Sequence, residues 1–388
     1  MKGNDLTILF DANSLMVKRT GVGVYTNHLI SSIAYRYPNV QFVGYYYNFL
    51  GRKARPKTPS APNIYYHPIY HFPGPVINLL RRFRIEIPIE LLTFMRADFI
   101  LYPNFLNQPS LFHTPSATVI HDLTFVDLPE YVARKNLSDL KRFTPGHIRR
   151  SRFIITVSAF AKKRLHETFH VSLDSILVTP IPPNATTVQT EAKCKTILQT
   201  LNIPGKFFLT LSTVEPRKNV LSMLDAYLLL PEKLQKEYTF VITGMIGWNC
   251  EAEVARLKQL AKEGKNILHL GYVSDEQRAV LYQAATFYTS ASRYEGFGMT
   301  PLEAMSYGKA CALSDIPVFR EVAGDVATYF KQDDPQSIVN VWRKLLADPS
   351  YRDRLGEASK RHAQTYDWST VAASVYNRIV DTLAGTNT

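Results

Sequence analysis

The sequence predicts an α/β protein with two Rossmann-like domains, each built on a parallel sheet covered by helices. Its 388 residues suffice for two domains, since a domain usually has about 100–200 residues. With 46% hydrophobic and 20% charged residues, the composition is that of an ordinary globular protein and excludes disordered, fibrous and coiled-coil chains. Short apolar, β-branched runs alternate with helical patterns along the chain, as in parallel sheets whose strands are connected by helices.

Each half of the chain contains its own series of predicted strands. They lie at 6–10, 40–46, 99–102, 118–120, 153–157 and 176–179, and then at 207–211, 239–243, 267–270, 287–289, 310–313 and 328–330. The proline-rich segment 180–184 and the polar stretch after it are typical of an interdomain linker. We therefore predict a first domain at 1–188, joined by a C-terminal helix at about 367–388, and a second domain at 200–366. We expect the two parallel sheets to face each other across a cleft. Open α/β sheets bind ligands outside the carboxyl ends of their strands, so ligands should bind in this cleft.

The most specific motif runs from Glu295 to Glu303, directly after the predicted strand at 287–289. Thr300 suits an N-cap, Pro301 the first helical position and Glu303 the third, so these residues predict a capped helix start. Capping alone would explain Glu303, but it does not explain Glu295, a carboxylate beside two glycines. Such glycines let backbone amides approach a phosphate at a helix N-terminus, and a nearby carboxylate is favourable only where it holds hydroxyls. Phosphate and hydroxyls together indicate a nucleotide sugar.

A second motif, Glu215-Pro-Arg-Lys-Asn219, follows the predicted strand at 207–211. Asn219 suits an N-cap, which places Arg217 and Lys218 directly before a helix N-terminus, where cations oppose the helix dipole. Two solvated surface cations are the alternative interpretation. The position at the carboxyl end of a strand favours a bound diphosphate.

These two motifs resemble those of the GT4 family of GT-B glycosyltransferases, and in particular its bacterial mannosyltransferase-like members. The pair Glu295 and Glu303 resembles the family's E-x7-E motif, and the sequence around Arg217 and Lys218 resembles its E-P-R-K-N motif. The resemblance implies the GT-B fold, with a first domain that binds the acceptor and a second that binds the nucleotide-sugar donor. It also implies transfer with retention of anomeric configuration.

The resemblance also implies roles for individual residues. Glu295 would contact the hydroxyls of the donor sugar, and Glu303 would bind the ribose. Arg217 and Lys218 would stabilise the leaving diphosphate. Many relatives carry a further arginine just upstream, where this chain has a serine and a threonine, so the positive charge must come from these two cations. Backbone amides would face the sugar and phosphate at Phe297, Gly298, Met299 and Thr300.

Further candidates follow other predicted strands. Gly21 and Gly23 precede a helical pattern; a tight turn explains a lone G-x-G, whereas the resemblance implies a glycine loop that approaches the donor diphosphate. His121 ends a strand, where a structural role is the alternative, and in similar enzymes a histidine here contacts the donor sugar, which adds it to the catalytic candidates. Gly244 resembles a family position that lines the donor site, with loop formation as an equal explanation. The acceptor-side candidates are Asp122, Asp127, Glu130 and Tyr131.

Positive charge is concentrated in the first half. Residues 1–190 contain 22 Lys and Arg against 11 Asp and Glu, whereas the rest of the chain contains 23 against 22. Such a charge distribution attracts polyanions. The apolar and cationic run at 76–85 and the basic loop at 51–62 suit contact with an anionic membrane, and a packed helix with a solvated basic face is an equal alternative. No nucleic-acid-binding motif is present, so nucleic acid is not expected as a partner.

Cysteines and targeting signals indicate the compartment. The three cysteines are far apart in sequence, which predicts neither disulfides nor a zinc site and favours a reducing cytoplasm. Neither a signal peptide nor a membrane span is predicted, so we expect a cytoplasmic protein, and peripheral contact with the inner face of the cytoplasmic membrane stays open as an alternative. No D-x-D motif is present, so no metal is expected, and Arg217, Lys218 and helix N-termini would meet the diphosphate charge.

Taken together, these features predict a retaining, metal-independent glycosyltransferase with no cofactor besides its nucleotide-sugar substrate. The best candidate reaction moves a hexosyl group, mannose from GDP-mannose, to a lipid-linked or cell-envelope polysaccharide or glycolipid precursor. A UDP-sugar-dependent transferase of the same family is one alternative. The others are a non-catalytic nucleotide-sugar-binding protein and a peripheral membrane protein.

Overall fold

Two parallel β-sheets with flanking helices form the two units of this computed structural model, which describes residues 6–16, 21–184 and 187–385. The first unit comprises Met1–Leu123, Lys135–Ile181 and Asp367–Thr388, and the second comprises Thr124–Arg134 and Pro182–Tyr366. The predicted α/β fold with two parallel sheets is confirmed. The segment Thr124–Arg134 lies with the second unit, although the predicted domains placed it in the first.

The first sheet consists of seven parallel strands. They are β1 (Thr7–Asp11), β2 (Gln41–Tyr47), β3 (Ile64–Ile69), β4 (Phe99–Tyr102), β5 (Ser116–Ile120), β6 (Phe153–Thr156) and β7 (Ile176–Val178). Their order in the sheet is β3-β2-β1-β4-β5-β6-β7. Ile8 of β1 lies opposite Phe42 on one side and Phe99 on the other, so β1 is a central, buried strand.

The second sheet consists of six parallel strands. They are β8 (Lys206–Leu211), β9 (Tyr238–Thr243), β10 (Ile267–His269), β11 (Tyr288–Ser290), β12 (Cys311–Ser314) and β13 (Thr328–Phe330). Their order is β10-β9-β8-β11-β12-β13, which makes β8 and β11 neighbours in the middle of the sheet. Because all the strands are parallel, their carboxyl ends lie along one edge of the sheet.

Helices follow most of the strands, as expected of parallel sheets. The first six are α1 (Gly21–Arg36), α2 (Gly74–Arg82), α3 (Ile89–Thr93), α4 (Thr124–Asp127), α5 (Arg134–Arg150) and α6 (Ala159–Phe169). The next five are α7 (Glu191–Thr200), α8 (Val220–Leu228), α9 (Glu232–Glu237), α10 (Glu251–Lys262) and α11 (Asp275–Ala284). The last five are α12 (Met299–Ser306), α13 (Pro317–Ala323), α14 (Pro335–Ala347), α15 (Pro349–Ala363) and α16 (Trp368–Leu383). None of these helices has an apolar stretch long enough to cross a membrane.

Every strand that the sequence predicts is present, with ends shifted by no more than two residues. The sequence does not predict β3, whose Ile-Tyr-Tyr-His-Pro-Ile segment contains Pro68. Proline lacks the N–H group that a ladder needs, so it is tolerated mainly on edge strands. β3 is an edge strand of the first sheet, which explains how a segment with a proline still pairs along β2.

An aromatic core holds the middle of the second sheet in place. Phe208 of β8 stacks on Phe240 and Phe287, with ring centroids 4.9 Å and 4.8 Å apart. Trp342 of α14 packs on Phe208 at 4.9 Å, and its indole N–H donates to the hydroxyl of Thr289 at 2.9 Å. Aromatic burial of this kind is among the larger contributions to a protein core. The carboxyl ends of β8 and β11 therefore start from a rigid base.

The C-terminal helix α16 packs on α1 and so belongs to the first unit. The Trp368 ring stacks on His28 with centroids 5.3 Å apart, and Tyr37 stacks on Tyr376 at 3.6 Å. Arg36 Nη1 also donates to Ser369 Oγ at 2.7 Å. The chain therefore returns to its first sheet after completing the second.

Candidate functional site

Two loops of the second unit meet at the carboxyl edge of its sheet. One loop follows β8 and contains a short 3-10 helix, Pro216–Lys218, and the other connects β11 to α12. The backbone amide of Arg293 donates to the Arg217 carbonyl at 2.9 Å, and Arg293 Nη1 donates to the Pro216 carbonyl at 2.7 Å. Because β8 and β11 are neighbouring strands, the two motifs that are far apart in sequence lie side by side.

Glu295 is at the centre of the contacts between these loops. Its carboxylate accepts hydrogen bonds from Lys218 Nζ at 2.5 Å, Arg217 Nη1 at 2.9 Å and Ser292 Oγ at 2.7 Å. Arg217 also donates through Nη2 to Glu215 Oε1 at 2.6 Å. We call these five residues the Glu295 network. Three predicted catalytic residues, Glu295, Arg217 and Lys218, are therefore brought together.

The Glu295 network is largely buried, which strengthens its electrostatic interactions. Glu215 is only 2% exposed, and the Glu295 and Lys218 side chains are each 14% exposed. Burial alone would raise the pKa of Glu295, but the charges of Lys218 and Arg217 outweigh it and hold that pKa at about 2. Burial, followed by the neighbouring Arg217, lowers the pKa of Lys218, while Glu295 opposes this effect. Glu295 is therefore ionised at neutral pH.

This arrangement suits an anionic ligand that carries hydroxyl groups. An ammonium group has three N–H donors, and within the described ranges Glu295 is the one side chain that Lys218 bonds. Fixed cations in a partly buried site stabilise developing negative charge without reorganisation. No group of three His, Cys, Asp or Glu side chains that could hold a metal ion occurs among residues 6–16, 21–184 and 187–385.

Glu303 lies on α12 and has its own set of partners. Its carboxylate accepts from the Tyr282 hydroxyl at 3.1 Å and from Asn184 Nδ2 at 2.9 Å, with Arg278 Nη1 at 4.0 Å. Burial raises the pKa of Glu303, and these three partners lower it. The two carboxylates of the motif therefore occupy different environments, one paired with cations and the other hydrogen-bonded mainly to neutral groups.

The predicted capping box at α12 is wrong. The helix begins at Met299, and Gly298 occupies the N-cap position with a φ of 105° and no side-chain cap. Thr300 lies inside the helix, where its hydroxyl accepts from the Tyr288 hydroxyl at 2.8 Å, while Glu303 turns to Tyr282. Polar partners on other elements thus take both side chains away from the backbone.

The residues before α12 occupy a tightly packed turn. The Phe297 ring is buried edge-on against Tyr366, with centroids 5.9 Å apart. A Cβ on Gly298 would lie 2.9 Å from Phe319 Cε1, closer than side-chain carbons pack. Glycine at this position therefore satisfies both the left-handed backbone and the close approach of Phe319.

The predicted side-chain cap by Asn219 is also wrong. Asn219 precedes α8 but has a left-handed backbone with a φ of 54° and no side-chain bond to the helix amides. Its Nδ2 donates to the Gln332 carbonyl at 2.6 Å, and its Oδ1 accepts from Ser222 Oγ at 2.9 Å. The side chain ties the loop to a neighbouring turn, because the left-handed backbone directs it away from the helix amides.

Gly244 follows β9 and owes its identity to backbone packing. Its φ is 139°, and a Cβ there would lie 1.9 Å from the carbonyl oxygen of Ser212. Its amide donates to the Gly271 carbonyl at 2.8 Å. Close approach of two strand ends therefore accounts for this glycine, whose role toward a donor stays a prediction.

The segment Thr124–Arg134 carries three predicted acceptor-side residues. Asp127 Oδ2 accepts a hydrogen bond from the hydroxyl of Tyr294 at 3.0 Å. Tyr294 directly precedes Glu295 in the sequence. The Tyr131 carbonyl accepts from the Trp248 indole at 2.7 Å, and Glu130 is exposed. These hydrogen bonds explain why the segment lies with the second unit.

The remaining predicted residues belong to the first unit. His121 Nε2 donates to the Pro103 carbonyl at 2.9 Å, and the ring lies edge-on to Tyr25 at 5.1 Å. Burial lowers the pKa of His121, although Pro103 and the adjacent Asp122 raise it, so the neutral ring keeps Nδ1 as an acceptor. Gly21 and Gly23 lie in the first turn of α1 instead of in a loop, and residues 17–20 before them lie outside the described residues.

Several residues of the site were not among the sequence-predicted ones. The sequence could have indicated Glu215 and Ser292 as site residues, because they lie inside or beside the two motifs. It could not have indicated Tyr282 and Asn184, which bond Glu303, because only the fold brings them to α12. Tyr294 adjoins Glu295 in sequence, but its bond to Asp127 also depends on the tertiary structure.

Similarity to known proteins agrees with this site. Residues 197–362 match the family described as glycosyl transferases group 1. O-antigen chain mannosyltransferase B of Escherichia coli is 28% identical over 283 residues, which are 71% of this chain and 74% of that protein. The serotype-specific mannosyltransferase WbdA of Escherichia coli is 26% identical over 262 residues, 66% of this chain and 32% of WbdA. Sucrose-phosphate synthase from Thermosynechococcus elongatus has a TM-score of 0.73 at 16% identity, covering 98% of this chain and 100% of that one.

The matched family region contains both loops of the Glu295 network as well as Glu303. The structural similarity extends over nearly the whole chain and includes both parallel sheets. The chain is therefore a glycosyltransferase with the GT-B fold, and its residues 197–362 match the family of glycosyl transferases group 1.

Proposed function

We propose that this glycosyltransferase moves mannose from GDP-mannose to a lipid-linked or cell-envelope polysaccharide precursor, with retention of configuration and without a metal ion. The observation that carries the proposal is the Glu295 network, in which Lys218 and Arg217 are held beside one carboxylate at the strand ends. Both relatives from Escherichia coli are named mannosyltransferases, and one is named for the O-antigen chain, which supports the choice of sugar and acceptor class.

The reaction begins at the bond between the anomeric carbon and the diphosphate oxygen. As this bond breaks, negative charge develops on the diphosphate, and Lys218 and Arg217 stabilise it together with the amides at the start of α12. Glu295 is ionised and accepts hydrogen bonds from the sugar hydroxyls, which orients the ring. The acceptor hydroxyl attacks the anomeric carbon from the same face and transfers its proton to the departing phosphate oxygen.

Glu303 has a separate role in this proposal. Its carboxylate accepts hydrogen bonds from the Tyr282 hydroxyl and the Asn184 amide. A ribose hydroxyl can replace either donor, because it donates the same kind of hydrogen bond. Because burial raises its pKa, Glu303 holds its charge less strongly than Glu295. It therefore serves binding of the nucleotide and not stabilisation of the leaving group.

A panel of GDP-sugars and UDP-sugars tests the donor. Since a ligand that binds the native state raises the unfolding temperature, GDP-mannose is expected to give the largest shift in thermal unfolding. The enzyme should also release GDP from GDP-mannose when acceptor is added. This release should persist in EDTA if no metal ion is needed. NMR of the product should show the same anomeric configuration as the donor if configuration is retained. Stabilisation by UDP-glucose but not by GDP-mannose would contradict the choice of donor.

We also propose that the first unit contacts an anionic membrane surface through α2. Four apolar side chains on and after this helix are exposed: Val76, Leu79, Phe83 and Ile85. Ile77 on the same helix is buried, so these side chains form an outward apolar face. Exposed Arg84 stands between Phe83 and Ile85, and exposed apolar groups interleaved with cations suit anionic lipid.

Sedimentation with vesicles tests this contact. Wild-type protein should sediment with phosphatidylglycerol vesicles more than with phosphatidylcholine vesicles, and the double variant Leu79→Ser, Phe83→Ser should lose the difference. Val188→Ser removes an equally exposed apolar side chain from the second unit and should behave as wild type. Equal sedimentation of the double variant and wild type would contradict membrane contact through α2.

A further inference from the structure

A second cluster of buried polar groups lies at the carboxyl edge of the first sheet. Asp11 ends β1, Tyr47 ends β2 and Tyr102 ends β4. Since β1 lies between β2 and β4, these side chains share one edge of the sheet. Tyr45, Arg81 of α2 and Gln108 complete what we call the Arg81 cluster.

The anionic member of this cluster already has partners. Asp11 Oδ1 accepts from the backbone amide of Asn13 at 2.8 Å and from its Nδ2 at 2.7 Å, and the Tyr45 hydroxyl lies near the same carboxyl group. Asn13 Oδ1 in turn accepts from the Tyr47 amide at 3.0 Å. Burial raises the pKa of Asp11, although these bonds and the nearby Arg81 lower it. Its negative charge is thus engaged locally.

Arg81 has no such partner. It is only 7% exposed, and its Nε is fully buried without a hydrogen-bond acceptor. Its charge is near enough to Asp11, Tyr45 and Tyr47 to lower the pKa of each. Across residues 6–16, 21–184 and 187–385, however, no group forms a hydrogen bond or a close ion pair with its guanidinium. A charged side chain that is 7% exposed and whose buried Nε has no acceptor is unfavourable unless another group supplies one.

Gln108 is in a similar position beside Tyr47. It is 6% exposed, its side chain lies near the Tyr47 hydroxyl, and its backbone carbonyl accepts from the Tyr102 hydroxyl at 3.1 Å. Its Oε1 is buried and has no donor within the described part of the chain. The cluster therefore presents a cationic donor and a neutral acceptor. Asp11, Asn13 and Tyr47 are half-buried, so these members of the cluster keep some exposed surface.

We propose that the Arg81 cluster binds an oxyanion, phosphoryl or carboxylate, carried by the saccharide acceptor of the transfer reaction. A guanidinium matches the geometry of an oxyanion with two parallel hydrogen bonds. Gln108 Oε1 accepts a hydrogen bond from a neighbouring saccharide hydroxyl. The excess of Lys and Arg among residues 1–190, 22 against 11 Asp and Glu, attracts such a ligand to this unit. The inference rests on the proposed function, which requires an acceptor.

Thermal unfolding with saturating GDP, which occupies the nucleotide site, tests the proposal. The ligands are mannose 1-phosphate, glucuronate, inorganic phosphate and mannose, and the proteins are wild type, Arg81→Met and Lys163→Met. Lys163 lies on α6 of the same unit, outside the cluster, with its side chain 74% exposed. Mannose 1-phosphate or glucuronate should raise the unfolding temperature of wild type and Lys163→Met. For Arg81→Met the apparent Kd should rise about 10- to 100-fold, as expected for losing hydrogen bonds to a charged group.

The pattern of responses distinguishes the sources of the oxyanion. A shift with mannose 1-phosphate supports a phosphoryl acceptor, and a shift with glucuronate supports a carboxylate acceptor. A shift that persists undiminished in Arg81→Met, or that neutral mannose produces equally, overturns the proposal. If GDP-mannose itself fails to stabilise wild type, the proposed function fails; if it stabilises all three proteins while the oxyanions do not, this inference alone fails.

Two further variants keep the test decisive if Arg81→Met does not fold. Arg81→Lys keeps the charge but loses the fork of N–H donors, so it should bind mannose 1-phosphate more weakly than wild type. Gln108→Leu removes the acceptor oxygen, so it should lose the preference for mannose 1-phosphate over inorganic phosphate. Wild-type binding by both variants overturns the assignment.

Discussion

The Glu295 network and the Arg81 cluster place a buried arginine in two opposite situations. Both lie at the carboxyl edge of a parallel sheet. Arg217 is bonded to two carboxylates, Glu215 and Glu295, whereas the Arg81 guanidinium has no hydrogen-bond partner in the described ranges. Since burying a charge is unfavourable without compensation, the first arginine holds two loops of the protein together. The second is suited to an outside partner.

The same difference explains the distribution of charge along the chain. The Glu295 network combines two cations with two carboxylates and needs no surplus of charge of either sign. The first half, with 22 Lys and Arg against 11 Asp and Glu, has an excess of cations that are not balanced within it. The excess positive charge therefore lies in the half that we propose receives the acceptor, and the proposed nucleotide site does not require it.

The comparison is tested most strongly by removing the paired arginine. Arg217→Met leaves Glu215 buried without a cation, so the free energy of unfolding should fall by about 3–5 kcal/mol. Urea denaturation measures this loss. Arg256→Met is the matched control, because its ion pair with Asp225 at 3.3 Å is partly exposed and should contribute only about 0–1 kcal/mol. Similar losses in the two variants would show that the Glu295 network does not hold the loops.

The turn that leads into α12 provides a smaller test on the donor side. Gly298→Ala places a Cβ 2.9 Å from Phe319 at a φ of 105°, and a left-handed backbone alone costs about 1–2 kcal/mol for alanine. Gly264→Ala has a φ of 68° but no atom within 4 Å of the new Cβ, so it isolates the backbone effect. Calorimetry should show a larger loss of stability for Gly298→Ala. An equal loss of stability in the two variants would mean that the Phe319 ring moves away from the new Cβ and that the close contact adds no cost.

A third test concerns acid stability. The pKa of Glu295 is about 2 in the folded protein against an ordinary 4.5, so its contribution to stability is complete above 4.5 and is lost as the pH falls toward 2. Glu295→Gln should therefore lose less stability than wild type between these pH values when urea unfolding is measured in a pH series. Parallel curves would contradict the pairing of Glu295 with Lys218 and Arg217.

Much of the fold could be predicted from the sequence because buried parallel strands read as short apolar runs. β3 could not, because Pro68 masks an edge strand. The Glu295 and Arg217 motifs could be placed after strands, which was enough to expect them near one another at a sheet edge. Their direct ion pairs depend on β8 and β11 being neighbours, a fact of topology that no local pattern contains.

The errors at the site have a common physical cause. Three residues have side chains of the type that caps a helix: Thr300, Glu303 and Asn219. Each instead forms a hydrogen bond with a tertiary partner, respectively Tyr288, Tyr282 and Gln332. Local propensity predicts what a side chain can bond, and packing decides what it does bond. Arg81 illustrates the same point, since in the sequence it belongs to the apolar and cationic run at 76–85, whereas packing of α2 buries it.

In the proposed mechanism the Glu295 network stabilises the leaving diphosphate, so the rate of GDP release from GDP-mannose should depend on Lys218, and the variant Lys218→Met measures this dependence. Lys236→Met, which removes an exposed lysine of the same unit, is the control. We expect kcat to fall about 100- to 1,000-fold in Lys218→Met and the control to keep wild-type kinetics. Wild-type kcat/KM in Lys218→Met would contradict this mechanism.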